Sequence, residues 1–204
     1  MSILSEHIAG WDDSPFAARA AGDAWDVVAG LADTVARLLD TLDAGYAIAG
    51  DIAVHRTARV ETGAVLKGPV IVGPDCLIAG GSLLRGGCWL DRGCIVGPGA
   101  ELKTTLLFRG SRLAHFNFVG DSILGCDVNL EAGAVIANHR NELADPRLRI
   151  AHRDGVIAAE TVKFGALVGD GSRIGANAVI APGALLAPGT IVPRLGLVDQ
   201  RPTD

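Results

Sequence analysis

Aromatic residues make up only 4% of this 204-residue chain, which fits a narrow interior of branched aliphatics and leaves little room for large rings. Cysteine is equally sparse. The four present (Cys76, Cys88, Cys94 and Cys126) are too few for a disulfide scaffold, and Cys76 and Cys94 read as a reduced structural pair, which points to a cytoplasmic protein. No apolar run of about 18 residues exists to cross a membrane as a helix. The start of the chain, with Glu6 and His7 so early, lacks the charged-then-apolar layout of an export signal. Cationic excess is missing too: the formal net charge of -5 argues against non-specific nucleic-acid binding. What is abundant is glycine, at 27 residues, with nine prolines. These supply corners that need positive φ or a preset turn.

The aliphatics between those corners repeat at one fixed interval. Counting in sixes gives Ile48, Val54, Val60, Leu66, Val72, Ile78, Leu84, Leu90, Val96, Leu102 and Phe108, then Leu124, Leu130 and Ile136, then Val168, Ile174, Ile180, Leu186 and Val192. Helices repeat at about 3.6 and strands at 2, so neither produces this pattern. A period of six is the signature of a parallel β-helix, in which three short strands close one triangular coil and residues eighteen apart stack. The phase breaks twice. From Phe108 to Leu124 the register advances by sixteen, through Ala114 and Val119, and from Ile136 to Val168 it advances by thirty-two.

These breaks divide the chain into an N-terminal segment (1–46), a β-helix (47–194) with an inserted loop at about 139–160, and a tail (195–204). In the first segment residues 1 to about 12 show no pattern, and Ser14-Pro15 resembles a helix start. From Trp25 the apolar positions Val28, Leu31, Val35, Leu38, Leu39 and Leu42 recur at helical spacing up to Gly45. This predicts an amphipathic helix that caps the open end of the solenoid, where apolar core and unpaired strand edges would otherwise face water. The inserted loop carries Arg140, Arg147, Arg149, His152 and Arg153. Insertions in solenoids are often functional, and this one reads as a lid over an anion.

Stacking places Lys67, Arg85 and Lys103 in one column, each just after an inward aliphatic, about 4.8 Å apart per coil. Three like charges at that spacing repel unless an anion lies across them, and a phosphate is the natural one. His115 follows Lys103 by twelve residues, at the phase break, and neutral histidine is the natural general base near neutral pH. Asn129 and Asn138 follow within the next coil and a half. Each suits hydroxyls or amides, although asparagine also builds internal ladders in such prisms.

Leu83-Leu84-Arg85-Gly86-Gly87, Glu101-Leu102-Lys103, Ala114-His115-Phe116-Asn117-Phe118-Val119-Gly120-Asp121 and Asp127-Val128-Asn129-Leu130-Glu131-Ala132-Gly133 occur in one order and spacing. Together they resemble the acetyltransferase domain of the bifunctional glucosamine-1-phosphate acetyltransferase / N-acetylglucosamine-1-phosphate uridyltransferase family, especially its archaeal-type sugar-nucleotidyltransferase relatives. Lys67-Gly68-Pro69-Val70-Ile71-Val72-Gly73 and the Trp25-Asp26 helix look similar too, and the likeness covers about residues 24 to 194, without the nucleotidyltransferase domain. The resemblance implies an all-β solenoid, a left-handed parallel β-helix with an N-terminal capping helix. Its handedness comes from the family alone, since crossovers are ordinarily right-handed.

The resemblance also assigns roles. Arg85 and Lys103 would hold a sugar phosphate, His115 would be the general base, and Asn129 would contact the sugar near its amine. Phe118 stands where the family has a tyrosine that touches substrate. On the acyl-CoA side would lie Ala132, Asn138, Ala176 in place of a serine, and Arg194, available for a CoA phosphate. His139 replaces an aromatic residue, and Glu131 replaces a glycine beside Ala132, where a carboxylate disfavours a developing oxyanion. The implied protein is a cytoplasmic homotrimer that transfers acetyl from acetyl-CoA to an amino-sugar phosphate, with no metal. Two other readings compete with it: a non-catalytic sugar-nucleotide-binding or assembly module, and a γ-type carbonic anhydrase on the same fold. The latter needs three zinc-binding histidines, and His55, His115, His139 and His152 lack the spacing.

Overall fold

The computed structural model describes residues 2–18 and 22–202. Its body is a parallel β-helix in which the six-residue period becomes three columns of inward aliphatics, one per face. Face 1 stacks Val54, Val72, Leu90, Leu107, Leu124, Val168 and Leu186. Face 2 stacks Val60, Ile78, Val96, Leu113, Leu130, Ile174 and Val192. Face 3 stacks Leu66, Leu84, Leu102, Val119, Ile136, Ile180 and Val198. Face 2 is a seven-stranded sheet, and the other two faces are joined by continuous strands such as Leu83–Leu90 and Glu101–Leu107. Most of these aliphatics are fully buried, each contributing roughly 1.5–3 kcal/mol of burial.

The count in sixes fails at both ends of its first run. Phe108 does not enter the prism. The inward residue is Leu107, because the steps from Leu102 to Leu107 and from Val119 to Leu124 are five residues each. Thr104 and Asp121 turn these shortened corners with φ of 50° and 47°, a left-handed conformation that non-glycine residues rarely adopt. Two short steps replace the single sixteen-residue break, and Phe108 faces outward against Trp11 and Trp89. Ile48, 51% exposed, lies outside the coils in an antiparallel strand (Tyr46–Ala49) paired with Ile52–His55. Val60 is also exposed, because no coil lies beyond it.

The helical segment differs from expectation in extent and place. It is split at Gly30 into α2 (Ala24–Ala29) and α3 (Leu31–Leu39), preceded by a short α1 (Ile3–His7) where the sequence shows no pattern. α2 starts at Asp23, whose N–H donates to the Asp26 carboxylate at 2.9 Å, and not at Ser14-Pro15. These helices lie along face 1 and do not close the open end. α3 packs on Leu83–Leu90 and its neighbours, α2 on Phe118–Leu124 and α1 on Ala166–Val168. The reason is a row of outward apolar residues on face 1 (Ile71, Leu106, Ile123 and Leu167) that clusters with Val27, Val28, Leu31, Val35 and Leu38. Gly87 lets α3 settle: its φ is +93°, and a Cβ there would lie 2.7 Å from the Ala32 Cα. The chain leaves the prism again between Ile136 and Val168, forming an antiparallel hairpin (Arg149–His152 with Gly155–Ala158) that packs on Ala184–Leu186, also on face 1. Among the described residues no helix is long and apolar enough to cross a membrane.

Candidate active site

The cation column forms where stacking puts it, on the corner between faces 3 and 1. Lys67 pairs in register with Arg85, and Arg85 with Lys103. The ladder is not, however, a row of unpartnered charges. Arg85 donates from Nε and Nη2 to Glu101 Oε1 at 2.8 and 2.7 Å. Lys103 Nζ donates to both Asp121 oxygens at 2.7 and 2.8 Å. Lys67 is exposed. A phosphate on this corner must therefore exchange with in-chain carboxylates. The sequence held the signal: Glu101 is outward on the same strand as Lys103, and Asp121 lies eighteen residues beyond it. The Asp121 carboxylate is buried and also accepts from Asn138 Nδ2. This joins the cation corner to the first residues of the insertion.

The corner between faces 2 and 3 holds a second column. Its backbone ladder runs from Gly133 N–H to His115 O (2.8 Å), from Asn177 N–H to Ala132 O (3.0 Å) and from Leu195 N–H to Ala176 O (2.9 Å). His115, Ala132, Ala176 and Arg194 are thereby stacked one per coil. His115 is exposed, and its neighbour Phe116 has φ +51° and is 73% exposed. Phe118 lies between the two corners on face 3, opposite Glu101 and Val135. Its ring and the Asn138 amide both crowd the place a Gly120 side chain would take, at 2.9 and 2.7 Å. Three strand residues separate the corners, about 10 Å of sheet. Asn129 sits apart on face 2, between Arg112 and Arg173.

Arg194 is not available as expected. Its Nε and Nη2 donate to the Glu131 carboxylate at 2.8 and 2.7 Å, and the Ala176 N–H donates to the same carboxylate at 2.8 Å. The Arg194 bonds first, then the Ala176 N–H, hold Glu131 below the usual carboxylate range. This pair lines a cleft of about 580 Å³ together with Asn129, Arg173, Ile191 and Pro193.

The insertion does not present its cations as a lid. Arg140 is buried against Asp199, Glu142 and the Pro182 carbonyl, Arg147 pairs with Asp145, and Arg153 pairs with Glu6. The bonds to Asp199 and Glu6 tie the loop to the tail and to α1. His139 meets the Val162 carbonyl and His55 meets Thr57. Among the described residues no group of three or more histidine, cysteine or acidic side chains gathers in a metal-binding arrangement.

No family model matches the chain. Among curated proteins it is 30% identical, over 133 residues, to the bifunctional protein GlmU of Alkalilimnicola ehrlichii, covering 62% of this chain and 28% of that protein. It is 32% identical over 74 residues to the bifunctional sugar-1-phosphate nucleotidylyltransferase/acetyltransferase of Sulfurisphaera tokodaii, covering 36% of this chain and 18% of that one. The chain thus spans less than a third of the length of these relatives. A solved hexapeptide transferase family protein from Anaplasma phagocytophilum shares 17% identity, with a TM-score of 0.48 over 75% of this chain and 80% of that one. The curated matches agree with the motifs: the chain is a hexapeptide-repeat β-helix protein similar to the bifunctional GlmU and sugar-1-phosphate nucleotidylyltransferase/acetyltransferase proteins.

Proposed function

We propose that the protein is an acyl-CoA-dependent N-acetyltransferase acting on an amino-sugar phosphate. One observation carries this reading. Arg85, Lys103, His115, Phe118 and Asn138 fall on consecutive coils, so that the cations and an exposed histidine flank one open strip of face 3, with Phe118 between them and Asn138 beside the cations. The Sulfurisphaera tokodaii relative, a bifunctional sugar-1-phosphate nucleotidylyltransferase/acetyltransferase, supports the same chemistry. In this mechanism Arg85 and Lys103 exchange their carboxylate partners for the sugar phosphate. Neutral His115 takes a proton from the amine as its nitrogen attacks the thioester carbonyl. Backbone N–H groups of the His115 corner, Ala132 among them, stabilise the tetrahedral oxyanion. Its collapse breaks the C–S bond, and the departing thiolate recovers the proton from the imidazolium.

The assembly we propose is a homotrimer. Phe116, Val179, Leu195 and Leu197, on face 3 and around the His115 corner, are 38–80% exposed, and further copies of the chain are the natural cover for them. Four free, buried cysteines suit a cytoplasmic setting. The non-catalytic sugar-nucleotide-binding or assembly reading draws on Glu131, which already holds Ala176 and Arg194.

Thiol release from acetyl-CoA with glucosamine-1-phosphate tests the proposal. His115→Ala is expected to keep its fold and lose about 10²–10⁴-fold in rate, whereas Phe118→Tyr should hold or improve it. Full activity in His115→Ala, or no transfer by the wild type to any amino-sugar phosphate, would favour the binding module.

A further inference from the structure

The ladder N–H donors on the corner between faces 2 and 3 are those of Phe116, Gly133, Asn177 and Leu195. The Ala176 N–H takes no part in it and points to the Glu131 carboxylate, which two nitrogens of the Arg194 guanidinium also hold. A forked guanidinium beside a backbone N–H is the chemistry that recognises an oxyanion. Here an in-chain carboxylate fills it. Glu131 reaches Arg194 across two coils, and both side chains are open to solvent, at 37% and 73% exposure. Exchanging one oxyanion for another there costs little, since exposed pairs are weak.

The adjoining cleft runs along Ile191, Val192 and Pro193 with Arg173 beside them. It suits a long ligand with an apolar stretch and anionic ends. We infer that Arg194 and the Ala176 N–H form a self-occupied oxyanion site, in which Glu131 takes the place of a phosphate of the acyl donor and must swing out when the donor enters. The identity of the donor rests on the acetyltransferase reading, but the site does not. Glu131 thereby sets donor affinity. It is a competitor built into the site.

The inference is tested by calorimetric titration of the wild type, Glu131→Ala, Glu131→Gln and the double variant Glu131→Ala/Arg194→Met, using acetyl-CoA and, separately, inorganic pyrophosphate. Melting curves confirm the fold, and Glu131→Gln serves if the alanine variant does not fold. Removing Glu131 should tighten pyrophosphate binding about threefold, the range of an exposed ion pair, and the double variant should abolish that gain. Under the acetyltransferase reading acetyl-CoA behaves alike. Unchanged or weaker pyrophosphate binding in Glu131→Ala would overturn the inference, whatever the enzyme does with acetyl-CoA. Tighter pyrophosphate binding, with no variant binding acetyl-CoA, would keep the site and discard that donor.

Discussion

Faces 1 and 3 are built from the same six-residue grammar and end in opposite conditions. Both carry apolar residues on their outer surface as well as inside. On face 1 Ile71, Leu106, Ile123 and Leu167 point outward and are completely buried, covered by α1, α2, α3 and the inserted hairpin. On face 3 Val179 and Leu197 occupy outward positions and are 38% and 71% exposed. A β-helix needs only its inner column to fold. An outward apolar row is extra, and whether it becomes core depends on what the chain lays over it. On face 1 the chain supplies the cover, and on face 3 it leaves a surface for another copy or a ligand.

The sharpest way to break this comparison is to place the same charge on both faces. Leu106→Asp puts a carboxylate beneath α3, within the cluster that holds Leu31 and Val35, without a partner to compensate it. The expected loss is about 4 kcal/mol or more. Val179→Asp, also outward on its strand, should cost about 1 kcal/mol or less and instead lower the mass of the assembly in solution. Urea unfolding and light scattering read the two effects. Equal destabilisation by both would mean that face 3 is as much core as face 1.

The inner column was legible from the aliphatics alone, because nothing but a β-helix keeps one phase across so many sixes. Failures came where side-chain identity stopped reporting direction. Phe108 and Leu107 are both apolar, so the count could not show that the corner before them had lost a residue. Thr104 gave no warning either, since left-handed backbone outside glycine is mostly asparagine, aspartate or histidine, and Asp121 is one of many aspartates in the chain. The apolar residues of α2 and α3 had a helical period, but period does not say whether a helix covers an end or a side. That depended on Ile71, Leu106 and Ile123, whose outward placement follows only from alternation within each short strand. At the candidate site the stacking rule found Arg85 and Lys103. One coil further the same rule leads from Lys103 to Asp121, but the inserted loop breaks the count between Glu131 and Arg194, two coils apart on one corner. Lys103 and Asp121 keep the eighteen-residue spacing, whereas Glu131 and Arg194 stand 63 residues apart in sequence.

Titration sharpens the comparison by asking how dry the cover is. Cys88 lies inside the prism and Cys126 in the cluster covering face 1, and burial, the leading cause in both, pushes each thiol up to about 11 from 9.0. A raised folded-state value means that the unfolded chain ionises first. The stability owed to the neutral thiol is whole below about pH 9 and is lost as pH climbs toward 11. For fully buried Cys88 that loss is about 3 kcal/mol, two units at 1.36 each. Cys88→Ala is less stable at neutral pH, yet its stability should fall less steeply between pH 9 and 11 than that of the wild type. Urea midpoints across that range test this. Parallel pH profiles would show that water reaches the prism.

The smallest expected effect concerns what fastens the cover. Arg153 in the inserted hairpin pairs with Glu6 of α1, joining the two pieces of chain that meet on face 1. The Arg153 side chain is 68% exposed, so the pair forms in water, pays side-chain entropy and is screened by salt. If the cover is held by burial of residues such as Ile150, Leu31 and Phe164, all fully buried, this bond is incidental. Arg153→Ala should then cost less than about 1 kcal/mol, and the small difference from the wild type should vanish at high salt. Thermal melts at low and high ionic strength measure both quantities. A loss of several kcal/mol would mean that the hairpin and α1 are latched electrostatically, and face 1 would then differ from face 3 by a charged clasp as much as by its apolar row.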